Sequence, residues 1–369
     1  MFDNIIIDRQ SSLLSTSNYQ FGFKVKSSTV LCSTMVIETI QYYLEKNGET
    51  VYLLLLDASK AFDKVSYEVL FNLLLKRNVC SRVLKLLFFI YTNQKYYVNW
   101  LNERSDLFTV ANGVKQGSVI SPLLFSIYVD NLFSELSQLG LGCHVGPAYA
   151  GAFGYADDIA LLSPTIYGLR KMISICEKYA VDFHITFNPI KSKLICYNID
   201  SSSVPPIYLN KESISIVNSD VHLGNYISSD IHDRNIINNV CDFYQRSNSI
   251  IHDFYVCDSE TLDSIHSTFS MHMYGCELWN LTSGYVDKFK IAWRKVKRCI
   301  WKLNHLTHNS IVHNLSSYLN ILLENRILKC THNALRHNIF CKNILQVKLR
   351  CKNSCFADNY RFLSHKLYL

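Results

Sequence analysis

The 369-residue chain is 49% hydrophobic and 13% aromatic, enough apolar material for a packed core and too much for a disordered chain. No apolar run approaches the roughly 18 residues of a membrane span, and Met1-Phe-Asp-Asn-Ile lacks the basic-then-apolar pattern of a signal peptide. An intracellular protein of the nucleus or cytoplasm, with no membrane association, is expected, and the net charge of +7 admits a nucleic-acid partner. Thirteen cysteines without a Cys-x-x-Cys pair read as reduced, mostly buried thiols. The alternative is zinc held by Cys351 and Cys355 with His332, His337 and Cys341, at a spacing that fits no standard knuckle.

In chain order, residues 17–29 (Ser-Asn-Tyr-Gln-Phe-Gly-Phe-Lys-Val-Lys-Ser-Ser-Thr) form a basic loop leading into a helix. That helix is predicted over Ser33–Lys46, with Val36, Ile37, Ile40 and Leu44 on one face and Asn47-Gly48 as its stop. Thr50-Val-Tyr-Leu-Leu-Leu-Leu-Asp57 is apolar without alternation, which predicts a buried central strand. Asp57 ends it, where a strand would hold a metal-binding carboxylate in a fixed position. Taken alone, Asp57 could also cap a helix and Phe62 could be a core residue. Ser66–Arg77 reads as a helix with Ser66 as N-cap, and Ser81–Tyr91 as another. Tyr96–Trp100 and Leu107–Val110 look like paired strands. Within Gly113–Phe125, Gly117 permits a backbone close to a ligand. Ser121-Pro122 predicts an N-cap followed by proline at the first helical position, with the helix running to Leu136.

Gly151–Ser163 places two apolar runs around Asp157 and Asp158, which predicts a hairpin with the carboxylates near its tip. Like charges so close raise each other's pKa, and a hard divalent cation such as Mg²⁺ removes that cost. Tyr167–Val181 reads as a helix. Residues 230–369 carry His, Asn, Lys and aromatics at helical spacings. There the run Trp293-Arg-Lys-Val-Lys-Arg-Cys-Ile-Trp301 sets Arg294, Lys295, Lys297 and Arg298 between two tryptophans. Such a segment suits phosphate contact and base stacking, or equally a solvated helix face with core tryptophans.

Tyr155-Ala-Asp-Asp158 resembles the metal-binding box of reverse transcriptases, especially those of non-LTR (LINE-type) retrotransposons. Other segments resemble that family in the family's own order. Gln20-Phe-Gly-Phe-Lys24 is similar to a fingers stretch in which Lys24 stands where Arg is usual, which implies a weakened hold on the incoming triphosphate. Asp57-Ala-Ser-Lys-Ala-Phe-Asp63 resembles motif A. The resemblance implies that Asp57 binds both metals and that Phe62 lies beneath the sugar and excludes a 2′-OH. Gly113–Phe125 resembles motif B, whose Gln116 and Gly117 would border the nascent base pair and template. Asn188-Pro-Ile-Lys191 is similar to motif D, where Lys191 would give a proton to departing pyrophosphate or remain a solvated charge. Asp220–Ile227 resembles the hairpin near the primer end, with Leu223 and Gly224 at its turn, His222 in place of Tyr and Asn225 in place of Val. Gly275–Trp279 and Ala292–Lys295 resemble the thumb-proximal tail of LINE-encoded polymerases.

The resemblance implies an α+β fold, an antiparallel palm sheet backed by helices. Partial fingers are expected over 1–50, the palm over 51–227, a thumb-like helical region over 228–310 and a helical tail over 311–369. Two Mg²⁺ ions (or Mn²⁺) on Asp57, Asp157 and Asp158 would drive nucleotidyl transfer from a dNTP to a DNA primer on an RNA template. No obligate protein partner is evident. Fewer than twenty residues precede Gln20, so a fragment of a longer polyprotein, and a poor polymerase by itself, is expected. Two competing readings are a degenerate element product that binds nucleic acid without polymerising and a group II intron-type maturase.

Overall fold

A computed structural model describes residues 2–10, 14–46, 48–101, 103–115, 117–229, 234–270, 273–315, 319–349 and 355–367. The chain divides into two compact units, Met1–Val217 and Asn218–Leu369.

The first unit is built on a five-stranded sheet. Its helices and sheet strands in chain order are α1 (Phe2–Gln10), α2 (Thr29–Glu45), β1 (Val51–Leu56), α3 (Tyr67–Lys76), α4 (Ser81–Thr92), α5 (Ser121–Gln138), β2 (Ala152–Tyr155), β3 (Asp158–Ser163), α6 (Ile166–Asp182), β4 (Lys193–Tyr197) and β5 (Ser215–Ile216). The sheet order is β5-β4-β1-β3-β2, antiparallel except for the β4–β5 pair. β1 is central and buried along its whole length. The reason is coverage of both faces. Tyr52, Leu54 and Leu56 join one core with Leu124, Phe125 and Tyr128 of α5 and Leu169 and Met172 of α6, while α2 packs against β1 and β3. A strand covered on both sides must be apolar at every position, as Val51–Leu56 is.

Two local expectations shift. α2 starts at Thr29, where the Ser28 hydroxyl accepts from the Leu31 amide at 3.1 Å, a cap hidden inside the basic loop. At α5 the cap residue is Ile120, and Ser121 is already helical. The Ser121 hydroxyl instead shares a hydrogen bond with the Tyr91 hydroxyl at 3.1 Å, tying α5 to α4. The expected strand pair between α4 and α5 is present as two short ribbons, Lys95–Tyr96 with Phe108–Thr109 and Asn99–Trp100 with Glu103–Arg104.

The second unit opens with the hairpin β6 (Ser219–His222) and β7 (Asn225–Ser228), which the sequence grouped with the palm. Helices follow: α7 (Arg234–Asp253), α8 (Ser259–Phe269), α9 (Gly284–Ile300), α10 (Asn309–Leu315), α11 (Leu319–His337), α12 (Ile339–Lys348) and α13 (Cys355–Leu367). α7, α8 and α9 pack on one another around Phe243, Leu262, Phe289 and Trp293.

Candidate active site

The register of the sheet brings the carboxylates together. Leu56, the last residue of β1, pairs with Ile159, so Asp57 leaves the sheet beside the β2–β3 hairpin. In that hairpin Tyr155 pairs with Asp158, leaving Ala156 and Asp157 as a two-residue turn. Ala156 takes φ 58°, a left-handed conformation that costs a non-glycine residue about 1 kcal/mol.

Asp57 is fixed through its backbone. Its amide donates to Ser192 Oγ at 3.2 Å, and its carbonyl accepts from the Asn188 amide at 2.9 Å. Its carboxylate oxygen Oδ2 is buried without a hydrogen-bond partner. Burial pushes the Asp157 carboxyl above its ordinary range, with the Asp57 charge adding to the rise. Asp158 is pushed up to about 6, by the protein atoms crowded around it first and then by Asp157 and Asp57, although part of its surface stays in solvent.

An unpartnered buried carboxylate oxygen beside two carboxylates of raised pKa supplies oxygen donors of the kind a hard divalent cation takes. Among the described residues, no three acidic, His or Cys side chains close into a finished cage. Asp57, Asp157 and Asp158 therefore share an electrostatic field without converging on one point.

Phe62 is half-buried. Its ring stacks on Phe125 at 4.3 Å and meets Phe23 edge-on at 6.5 Å, and Phe23 lies 6.3 Å from Tyr155. Gly117 has φ 82° with open space where a side chain would stand. Gln116 lies outside the described residues. Lys191 is exposed, and its amide and that of Ile190 donate to Asn188 Oδ1 at 3.3 and 3.0 Å.

Lys24 is engaged within its own loop. Its ammonium donates to the carbonyls of Thr16 (2.9 Å) and Ser17, closing its own loop. That loop is in turn held by Asp130 of α5, which accepts from the Ser17 amide at 2.7 Å and pairs with Arg77 at 2.8 Å. Sequence reasoning took Gln20 only as part of a motif, yet Gln20 is the residue that touches the carboxylate turn. Its side-chain amide bonds both the N–H and the C=O of Ala156. The two residues lie 136 positions apart, and no local pattern links them.

In the second unit Leu223 and Gly224 form the β6–β7 turn, at φ 51° and 74°. The Leu223 carbonyl accepts from the Tyr274 hydroxyl at 2.5 Å. His222 beside them is buried with both ring nitrogens unbonded, and burial holds it neutral, its pKa pushed down to about 4. The basic segment of α9 divides. Arg294 and Lys295 reach solvent. Lys297 does not; it is 1% exposed, paired with Asp263 at 2.5 Å and bonded to Ser267 at 3.1 Å. Arg298 donates to the Thr307 carbonyl at 2.8 Å and to Asn309 Oδ1 at 2.7 Å, bracing the loop before α10. Lys297 and Arg298 thus have partners inside the fold, whereas Arg294 is half-buried and Lys295 exposed. Trp293 is a core residue, stacked on His313. Of the zinc candidates, Cys341 is buried and Cys351 lies outside the described residues, as do the side chains of Cys355 and His337.

Comparison with known proteins places the first unit in a family. Residues 2–227 match the family described as reverse transcriptase (RNA-dependent DNA polymerase). The chain is 28% identical over 180 residues to a Pol polyprotein from a type-1 R2 retrotransposable element of Nasonia vitripennis, covering 48% of this chain and 17% of that protein. It is 23% identical over 335 residues to a probable RNA-directed DNA polymerase from the X-element transposon of Drosophila melanogaster, covering 85% of this chain and 35% of that one. The chain thus spans about a third or less of the length of these relatives. Among solved structures, an apo telomerase from Candida tropicalis is similar with a TM-score of 0.48 at 10% identity, over 99% of this chain and 57% of that chain.

Proposed function

This chain belongs to the reverse transcriptase (RNA-dependent DNA polymerase) family, and from that premise we propose that it carries the polymerase core of a non-LTR retrotransposon protein. The reaction is nucleotidyl transfer from a dNTP to the 3′-OH of a DNA primer paired to an RNA template, inside the cell. The sheet unit has the α+β palm fold. Residues 1–50 then serve as partial fingers, 51–227 as palm, 228–310 as thumb and 311–369 as a helical tail. The observation that carries the reading is the register Leu56–Ile159, which sets Asp57 at the end of a rigid buried strand beside Asp157 and Asp158.

Asp57, Asp157 and Asp158 would hold divalent cations, Mg²⁺ or Mn²⁺, which supply Lewis acidity for the attacking 3′-OH and the leaving pyrophosphate. Asp57 supports this role through its orphaned Oδ2 and a backbone anchored on Ser192 and Asn188. Phe62, wedged by Phe125, offers a ring edge that selects against a 2′-OH. Gln116 and Gly117 would line the base pair. Lys191, exposed and on a pinned turn, is free to move a proton to pyrophosphate. Leu223, Gly224, Arg294 and Lys295 would contact nucleic acid. Lys24 would act on the triphosphate only indirectly, by fixing the loop.

The test is primer extension on an RNA template with Mg²⁺ and dNTPs. Extension that disappears in Asp57→Asn while template–primer binding persists is the expected result. Binding without extension in the parent chain would return it to the class of non-polymerising remnants.

A further inference from the structure

The β2–β3 turn is contacted by a side chain from outside the hairpin. Ala156 sits left-handed directly before Asp157, without the freedom of a glycine. Gln20 is 1% exposed, and its Oε1 accepts from the Ala156 amide at 3.0 Å and from the Gly22 amide at 3.0 Å. Its Nε2 donates to the Ala156 carbonyl at 3.4 Å. Both backbone polar groups of the strained residue are thereby satisfied by one side chain.

The platform under Gln20 is itself fixed. The Phe21 amide donates to the Gly154 carbonyl at 2.7 Å, and the Gly154 amide donates to the Tyr19 carbonyl at 2.9 Å, so residues 19–21 run as an added edge along β2. Tyr19 packs edge-on against Tyr149, and Phe21 packs against Phe153. Gly22 completes the fit, since a Cβ there would stand 2.6 Å from the Ala156 nitrogen.

We propose that Gln20 is a positioning residue that clamps Ala156 in its left-handed conformation and so fixes the direction in which the Asp157 carboxylate leaves the turn. Its kinetic consequence rests on the nucleotidyl-transfer reading above. The amide is the side chain suited to the task, because it accepts from two N–H groups and donates to one C=O. Methionine would fill the same volume and leave the Ala156 and Gly22 amides without their acceptor.

The experiment compares the parent chain with Gln20→Met, Gln20→Met/Ala156→Gly and Gly22→Ala. Three quantities are measured: hydrogen exchange at the Ala156 amide, the midpoint for Mn²⁺ binding by the metal alone, and kcat and KM in primer extension. Gln20→Met should speed exchange at Ala156 about tenfold, the scale of one net hydrogen bond. It should weaken Mn²⁺ binding and lower kcat more than it raises KM. Gly22→Ala should act in the same direction by pushing on the turn. Ala156→Gly should recover part of the loss in the double variant, because glycine takes this φ without a clamp. Unchanged exchange in Gln20→Met, or a double variant no better than the single one, would overturn the proposal and leave Gln20 as packing. A parent chain that extends no primer would sink the polymerase reading alone, since the exchange and Mn²⁺ arms still decide whether Gln20 holds the turn.

Discussion

The carboxylates at the end of β1 and in the β2–β3 turn, and the basic run of α9, are each charges set beside apolar residues in sequence, and the structure treats them differently. At the first, the scaffold fixes the backbone and leaves a carboxylate oxygen of Asp57 without a partner. Ser192, Asn188 and Gln20 hold backbone groups, while Asp57 Oδ2 is left bare and Asp158 is pushed up to about 6. At the second, two of the four charges are satisfied internally. Lys297 is paired to Asp263 and Arg298 braces the Thr307 turn. A charge that the fold leaves unsatisfied at some cost is a better pointer to chemistry than a charge that the fold satisfies.

The largest expected effect breaks this comparison at the carboxylates. Asp57→Asn and Asp157→Asn should each lower primer extension roughly a hundredfold or more, at least the scale of losing one preorganised electrostatic contact. Gel-resolved extension at saturating dNTP reads this directly. Variants that keep pace with the parent would remove the metal assignment.

Next comes the buried pair of α9. Lys297→Ala removes the buried cation of the Lys297–Asp263 pair and should destabilise the chain by about 3 kcal/mol, the low end for breaking one side of a buried ion pair. Replacing both partners with Lys297→Met and Asp263→Leu should recover most of that loss. Urea denaturation measures both. A Lys297→Ala variant as stable as the parent would put Lys297 back on the surface.

Third, the solvent-facing half of the same helix should act through salt. Arg294→Ala with Lys295→Ala should flatten the log–log salt dependence of duplex binding by about 1.8, at about 0.9 per lost phosphate contact. No change in slope would leave α9 wholly structural.

These two faces of α9 were partly legible beforehand. Phe289, Trp293, Val296 and Ile300 follow helical spacing, and Lys297 lies four residues after Trp293, so helical phase alone puts it on the apolar side. A run of basic residues hides that phase when it is read as composition. β1 was legible because a strand covered on both faces has to be apolar throughout, and Asp57 and Asp157–Asp158 because each ends or turns such a run. The Gln20 clamp and the Lys24 loop closure were not, since they are made by contacts to backbone groups. Any side chain of suitable length can reach a carbonyl, and nothing at Ala156 announces that it will be left-handed.

The smallest effect sharpens the contrast by asking what the carboxylates cost. Asp158 is pushed from an ordinary 3.8 up to about 6, so between those values the folded chain holds a proton that the unfolded chain has lost. Stability therefore falls as pH rises through this window, and the full penalty stands above the folded value. Asp157 is raised too, which adds to the same slope. Asp158→Asn has no charge to bring into this field. Its melting temperature should exceed the parent's by a modest margin at pH 7, and the margin should close as pH falls below 4. Mg²⁺ should narrow the gap from the other side, raising the parent more than the variant, because a bound cation offsets the burial and repulsion of the same charge. Thermal melts at pH 4 and pH 7, with and without Mg²⁺, give all four corners. A variant less stable than the parent at pH 7 would mean that Asp158 is satisfied within the fold, as Lys297 is, and the distinction between the two regions would lose its basis.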